Sequence, residues 1–245
     1  MTSASRQSLR ERARGISVGL FAAPLGALAE AARDMAGWGA GVVHFDVMDG
    51  VFVPQITAGP GFVKALDTEI LRDVHLMVSD PAAQIDAFAE AGADILTLHA
   101  EAPTAGAALD AVRAASDRLG RPILAGLAVM PGTPLDSLAP LLDPMPDLIL
   151  VLALDPRDGA PANLARAGER LAALTEMVAP HRPLMAIDGG VTLDTIADAA
   201  ASGPDMIVSG SAIFRAAAPA AAFATLGKTW ADHARPFATA ETENA

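Results

Sequence analysis

The sequence has no cysteine and no tyrosine, and aromatic residues make up only 4% of it. Without cysteine the chain has no disulfides and no thiolate metal ligands, so any metal must be bound by histidine or carboxylate side chains. No window of about 18 uninterrupted apolar residues is present, which argues against a membrane-spanning helix. Basic residues are also scarce: 17 lysines and arginines stand against 29 aspartates and glutamates, a net charge of −12. This acidity disfavours nucleic acid and anionic membranes as partners.

The chain is long enough for one large domain. It has 245 residues, 52% of them hydrophobic, which provides apolar material for a sizeable core. The polar, basic stretch over residues 1–14 lacks the apolar core of a secretory signal, so we expect a cytoplasmic protein. We expect residues 1–14 and 234–245 to be flexible ends of a single domain over residues 15–233.

Short aliphatic runs alternate with longer alanine-rich segments of helical period. The runs predict strands over residues 16–21, 42–48, 72–78, 94–100, 122–129, 148–154, 183–188 and 206–213. Strands that are apolar on both faces and alternate with helices are typical of a parallel sheet covered by helices. Eight such units predict an α/β fold with one closed (β/α)8 barrel, or TIM barrel. An open doubly wound sheet is disfavoured because no glycine-rich phosphate fingerprint follows the first strand.

Ionisable residues interrupt three of these apolar strands near their carboxyl ends. In a strand, alternate side chains share a face, and in a barrel one face points inward towards the active site at the carboxyl ends. For a single histidine a structural hydrogen bond would be the better explanation, but four such groups on three strands favour a shared function. We expect them to bind one divalent metal ion, zinc, iron or manganese, through His44, Asp46, His75 and Asp188.

Glycine-bearing motifs follow the last two predicted strands. Gly189 and Gly190 come after the seventh strand, and Gly210 and Ser211 after the start of the eighth. In many barrels of this kind the loops after these two strands bind phosphate through backbone N–H groups. These four residues therefore predict a phosphate site that needs no lysine or arginine, in keeping with an acidic chain.

Six motifs resemble those of the ribulose-phosphate 3-epimerase family, in the family's order and with its approximate spacing between residues 16 and 214. The run HFDVMDG, followed by FVP, is specific to that family. The motifs are VHFDVMDGVFVPQITAGP (43–60), DVHLMVSDP (73–81), AGADILTLHAEA (91–102), MPGTPLDSL (130–138), IDGGV (187–191) and SGSAIF (209–214).

The resemblance implies a metal-dependent isomerase that interconverts D-ribulose 5-phosphate and D-xylulose 5-phosphate. It assigns the metal to the four residues above, and assigns the two proton transfers at carbon 3 to Asp46 and Asp188, one on each face of the sugar. The metal stabilises the enediolate that forms between the two transfers. Met48 and Met77 match methionines that flank the planar intermediate, although their thioethers serve equally well as core filler. Barrels of this family commonly self-associate, so a homo-oligomer is among the expectations.

The sequence departs from the family at the substrate lid. Where the family has a mobile glycine-rich stretch after the sixth strand, this chain has LALDPRDGAP over residues 152–161, and Gly19 replaces a serine of the first strand. Arg157 could contact the substrate phosphate in place of lost backbone donors, or it could pair with Asp155 or Asp158 on a solvated loop. These changes spare the expected metal ligands and affect the substrate contacts.

Three questions therefore stay open. The same mechanism could act on another phosphorylated ketose, such as a tetrulose, allulose 6-phosphate or a different pentulose. A non-catalytic paralogue that binds a phosphorylated metabolite is the alternative from another class, although it would have no need of four buried ionisable groups. His99 and Glu101, two apart at the end of the fourth strand, either border the site as partners of its ligands or make a structural hydrogen bond.

Overall fold

The computed structural model describes residues 3–66, 68–179 and 181–234. Among these residues eight strands form a closed barrel in chain order, with β8 beside β1, and neighbouring strands are parallel. This confirms the predicted (β/α)8 barrel. The strands are β1 Gly15–Gly19, β2 Val42–Met48, β3 Leu71–Met77, β4 Ile95–His99, β5 Leu124–Val129, β6 Leu148–Leu152, β7 Leu184–Asp188 and β8 Met206–Ser209.

Helices connect the strands and cover the outside of the barrel. The connection after β5 is a 3-10 helix, Leu135–Leu141, because Pro140 inside it has no N–H to donate to an α-helical hydrogen bond. The α-helices are α1 Ser3–Arg12, α2 Leu28–Gly37, α3 Pro60–Ala65, α4 Ile85–Glu90, α5 Ala105–Leu119, α6 Leu164–Met177, α7 Ile196–Ala201, α8 Ser211–Phe214 and α9 Pro219–His233.

Helix α1 differs from the sequence expectation. We expected residues 1–14 to be flexible, but most of this segment is helical. Leu9 and Ala13 are buried against the apolar side chains at the first positions of the strands. Ala13 directly follows α1, and its N–H donates a hydrogen bond of 3.0 Å to the Leu9 carbonyl oxygen, so the two side chains lie on the same side. Arg6 adds an ion pair of 2.6 Å with Asp147, just before β6. The helix thus packs against the amino-terminal end of the barrel.

The side chains that point into the barrel change character along the strands. The first residues of β2 and β3, Val42 and Leu71, belong to an apolar cluster that lines the amino-terminal end of the lumen and continues on β5 and β6 as far as Ala128 and Leu152. Further along the same inward faces, β2 carries His44 and β3 carries Asp73 and His75, all of them buried. The fold therefore places its ionisable groups above an apolar floor, near the carboxyl ends of the strands.

Two further expectations concern the end of the chain. The eighth strand was expected to run over residues 206–213, but it ends at Ser209 because Ser211–Phe214 form the short helix α8. The expected flexible tail over residues 234–245 lies outside the described residues except for Ala234. Within the described part of the chain, no helix has the length and apolarity that crossing a bilayer requires.

Candidate active site

Four ionisable side chains meet at the barrel mouth. His44 and Asp46 come from β2, His75 from β3 and Asp188 from the end of β7, and one ligand atom of each lies within 4.8 Å of the others. The register of β2 against β3 places Asp46 directly opposite His75. Strand β7 is separated from β2 by β8 and β1, so Asp188 approaches from another side of the barrel. The structure thus brings together the four residues that the sequence predicted as metal ligands.

The spacing of the four ligand atoms suits a tetrahedral metal site. His44 Nε2 lies 3.2 Å from Asp46 Oδ1 and 3.8 Å from Asp188 Oδ2. His75 Nδ1 lies 3.4 Å from Asp46 Oδ1 and 3.6 Å from Asp188 Oδ2. Ligand atoms bound tetrahedrally to zinc at its usual bond lengths lie about 3.3–3.6 Å apart. These separations therefore fit a shared divalent ion.

A buried nitrogen that makes no hydrogen bond of ordinary geometry is a second sign that the residues fit a metal. His75 Nδ1 is buried and accepts or donates no hydrogen bond among the described residues. Such an atom is costly unless another group binds it. Since it faces the carboxylates of Asp46 and Asp188, a cation held by all three groups would satisfy it.

Asp73 fixes the orientation of the His44 ring. Its Oδ2 lies 2.7 Å from His44 Nδ1 and also accepts a hydrogen bond of 3.0 Å from the Ser17 hydroxyl. Because a carboxylate can only accept, Nδ1 of His44 carries a proton, and Nε2, which lies 3.2 Å from Asp46 Oδ1, is the nitrogen that would give up its proton to bind a metal. Asp73 was not predicted from the sequence, although its position two residues before His75 places it on the same inward face.

The electrostatics of the cluster favour a bound cation. Burial opposes the charged form of His44, but the carboxylates of Asp73 and Asp46 outweigh burial and raise the His44 pKa well above 6.5. Burial also opposes the charged form of His75, and the carboxylates of Asp188 and Asp46 raise its pKa. Asp46 is affected in the opposite sense: burial would raise its pKa, but the two histidines hold that pKa well below 3.8. In the absence of metal the site therefore attracts protons to the positions where a cation would bind.

Two methionines lie at the rim above the cluster. Met48 and Met77 end β2 and β3 and are paired in register, two residues beyond Asp46 and His75 on the same faces. Met77 is buried and Met48 is half-buried. Both methionines thus follow a proposed ligand on the same face of its strand, and their place beside a planar intermediate stays a prediction.

The glycines expected at the phosphate site occupy positions where a side chain would be strained or would collide with neighbouring atoms. Gly189 and Gly190 have φ of +104° and +70°, and a Cβ on Gly190 would lie 2.3 Å from the Ala162 Cβ. A Cβ on Gly210 would lie 2.8 Å from the Gly19 carbonyl oxygen. Because β7 and β8 are neighbours, these loops lie side by side at the mouth, with Ser211 beginning α8.

Arg157 lies at the mouth but is already paired. Its Nε and Nη2 donate hydrogen bonds of 2.8 and 2.6 Å to the two carboxylate oxygens of Asp155. Its guanidinium carbon is 5.9 Å from the centre of the Phe52 ring, and that ring lies 4.9 Å from the ring of His99. The loop after β6 thus reaches Phe52, which contacts His99 beside the cluster. Arg157 pairs with Asp155, which is one of the two arrangements expected from the sequence.

His99 and Glu101 are also part of the site's surroundings. Burial lowers the pKa of His99 to about 4, and the hydrogen bond with Glu101 offsets only part of that effect. His99 is therefore neutral near pH 7. Its ring stacks on that of His75, with centroids 4.9 Å apart.

Comparisons with known proteins show which family the chain belongs to. A family model described as the ribulose-phosphate 3 epimerase family matches residues 15–214. Ribulose-phosphate 3-epimerase of Treponema pallidum (strain Nichols) is 37% identical over 209 residues, 83% of this chain and 93% of the relative. The protein of the same name from Mycobacterium bovis is 40% identical over 219 residues, 86% of this chain and 90% of the relative.

A solved structure supports the fold alone. The crystal structure of 3-hexulose-6-phosphate synthase from Salmonella typhimurium matches with a TM-score of 0.66 at 18% identity, covering 89% of this chain and 99% of that one. The sequence comparisons go further than this. The chain belongs to the ribulose-phosphate 3-epimerase family and is an enzyme of the epimerase class of isomerases.

Proposed function

We propose that the protein is a divalent-metal-dependent 3-epimerase that interconverts D-ribulose 5-phosphate and D-xylulose 5-phosphate. The observation that carries the proposal is the pair of carboxylates, Asp46 and Asp188, which share one four-residue cluster but come from separate sides of the barrel. Epimerisation at carbon 3 needs one group to remove a proton from one face and another to return a proton to the opposite face. Two carboxylates in this arrangement supply both groups.

Each residue of the cluster has a distinct part in this reaction. His44 and His75 hold the metal together with Asp46 and Asp188. A metal bound there lowers the pKa of the carbon 3 proton, because it stabilises the charge that develops on the neighbouring oxygens. A carboxyl group has an ordinary pKa of about 4, so Asp46 is ionised near neutral pH and can accept a proton, and a bound cation keeps it ionised. Asp188 exchanges a proton on the other face of the sugar.

The phosphate of the substrate binds at the loops after β7 and β8 in this proposal. Gly189, Gly190 and Gly210 let the backbone approach an anion where a side chain would collide, and Ser211 adds a hydroxyl and an N–H. Met48 and Met77 provide an apolar, polarisable surface beside the reacting carbon. Local backbone donors are needed because the whole chain, with its net charge of −12, repels a phosphorylated sugar.

A second candidate substrate is another phosphorylated ketose, and the loop after β6 is the observation that favours it. Asp155 and Arg157 form a bidentate pair over Phe52 at the mouth, where the family has a glycine-rich lid. A fixed charged pair recognises sugar hydroxyls differently from flexible backbone. The change therefore affects which sugar is preferred rather than how its proton is moved.

The test is a substrate panel. Protein loaded with zinc or manganese would be given D-ribulose 5-phosphate, a tetrulose phosphate and allulose 6-phosphate, and the values of kcat/KM compared. We expect the highest kcat/KM for D-ribulose 5-phosphate. A higher value for another ketose phosphate would replace the substrate and keep the reaction, whereas no turnover of any member would point to a binding protein.

The variant Arg157→Ala belongs in the same panel, with Arg166→Ala on the outside of α6 as the matched control. If the Asp155–Arg157 pair selects the sugar, the Arg157 variant changes the ratio of kcat/KM between substrates and the control does not. An unchanged ratio would mean that the pair only stabilises the loop.

A further inference from the structure

A chain of buried side chains leads away from the proposed metal site on the β4 side of the barrel. His75 Nε2 lies 2.9 Å from His99 Nε2, and His99 Nδ1 lies 3.0 Å from Glu101 Oε2. Both imidazole rings are fully buried. The reaction proposed above uses neither His99 nor Glu101, so their arrangement needs its own explanation.

Glu101 is firmly held in its ionised form. Burial opposes ionisation, but the hydrogen bonds from His99 and Thr133, together with one from the Met130 N–H, lower its pKa to about 2. The loop after β5, which supplies Met130 and Thr133, is held in turn, because Arg170 donates hydrogen bonds to the carbonyl oxygens of both residues. Glu101 is thus an acceptor of fixed position.

The positions of the hydrogens follow from this anchor. Since the Glu101 carboxylate can only accept, Nδ1 of His99 carries a hydrogen. A second hydrogen on Nε2 would place a positive charge on a fully buried ring, so Nε2 is the acceptor. The single proton between the two facing Nε2 atoms therefore belongs to His75. His75 Nδ1 then faces the carboxylates of Asp46 and Asp188, at 3.4 and 3.6 Å, and makes no hydrogen bond among the described residues.

We propose that Glu101 and His99 are positioning residues, which hold His75 with its hydrogen on Nε2 and so present the Nδ1 lone pair to the metal. The inference rests on the proposed metal-dependent function. It parallels the arrangement at His44, where Asp73 performs the same task directly. Partners of this kind typically change metal affinity about 10- to 100-fold when they are removed.

The test compares two variants of His99 by their zinc affinity, measured by competition with a chelator in the absence of sugar. His99→Phe keeps a flat ring but removes the acceptor, and we expect its zinc affinity to fall about 10- to 100-fold. His99→Gln keeps an acceptor within reach of His75 Nε2 and is expected to recover most of that loss. His181→Phe, which removes an exposed histidine far along the chain, is the control and should bind zinc like the native protein.

Several results would overturn the inference. A folded His99→Phe variant with native zinc affinity would show that the hydrogen bond is only structural. If the variant and the native protein bind zinc equally tightly, the inference fails and the proposed function survives. If the native protein binds no divalent metal, the inference and the proposed function both fail.

A second measurement covers the case in which the Phe variant does not fold. Histidine-labelled native protein would be examined by long-range 1H–15N NMR. We expect a protonated Nδ1 and an unprotonated Nε2 on His99, and a protonated Nε2 on His75. A hydrogen on Nε2 of His99 would contradict the inference whatever the variants do.

Discussion

Single residues at the barrel mouth define what this site can do. The ligand positions could be predicted from the sequence, because the alternation of side chains along a strand puts His44 beside Asp46 and places His75 on an inward face. Asp73 could not be assigned in the same way. Its contact with His44 depends on the register between β2 and β3, and that register cannot be predicted from the sequence of either strand alone.

The raised pKa values of the two histidines predict that metal binding releases protons. His44 and His75 carry protons above pH 6.5 in the metal-free protein, since nearby carboxylates raise their pKa values, and a metal requires the unprotonated nitrogens. Zinc affinity should therefore increase as the pH rises through those values and weaken as it falls. Calorimetric titrations near pH 7, in buffers with different ionisation enthalpies, should show net proton release.

The variant Asp73→Asn provides the comparison for that titration. It removes the largest influence that raises the His44 pKa, so fewer protons should be released per zinc bound. Asp110→Asn, on the exposed face of α5, should leave the number unchanged. Equal heats in every buffer for the native protein would contradict the account.

At the scale of the elements, the eight strands could be predicted because each is a short apolar run bounded by helical segments. The exceptions have physical causes. The eighth predicted strand was too long because SAIF is apolar enough to continue a strand but instead turns into α8 after Gly210. Helix α1 was missed because its sequence is mostly polar, and its buried apolar contacts come from Leu9 and from Ala13 directly after it.

Helix α1 yields a prediction about stability without an effect on catalysis. Leu9→Ala removes a buried side chain at the end of the barrel opposite the site, and should lower the free energy of unfolding by about 2–4 kcal/mol. The value of kcat/KM for the folded enzyme should be unchanged. Glu11→Ala, on the exposed side of the same helix, should change stability by less than about 0.5 kcal/mol. Chemical denaturation measures both; equal losses would show that α1 does not close the barrel.

For the whole molecule, metal binding and folding should be linked. The four proposed ligands come from β2, β3 and β7, so an ion bound to them joins distant parts of the barrel and binds the folded chain far better than the unfolded one. The expected homo-oligomer stays a prediction, since one chain is described. The family could be predicted from six motifs, whereas the preferred sugar could not, because it depends on how the loop over residues 152–161 lies across the mouth.

This linkage can be measured by thermal unfolding. Zinc at a hundred times its dissociation constant should stabilise the protein by about 2.7 kcal/mol and raise the Tm accordingly. Magnesium is the control, because it prefers six oxygen ligands and should stabilise a site of two imidazoles and two carboxylates much less. A Tm that does not respond to zinc would be evidence against a metal held by all four residues.

The most direct test of the central claim is proton exchange at carbon 3, followed by NMR in heavy water. Metal-loaded native protein given D-ribulose 5-phosphate should incorporate deuterium at carbon 3 and form D-xylulose 5-phosphate. Asp46→Asn and Asp188→Asn, each examined with metal bound, should form the epimer about 10²- to 10⁴-fold more slowly, because each lacks one of the two proton-transfer groups. Absence of exchange in the metal-loaded native protein, or native rates in either variant, would contradict the account.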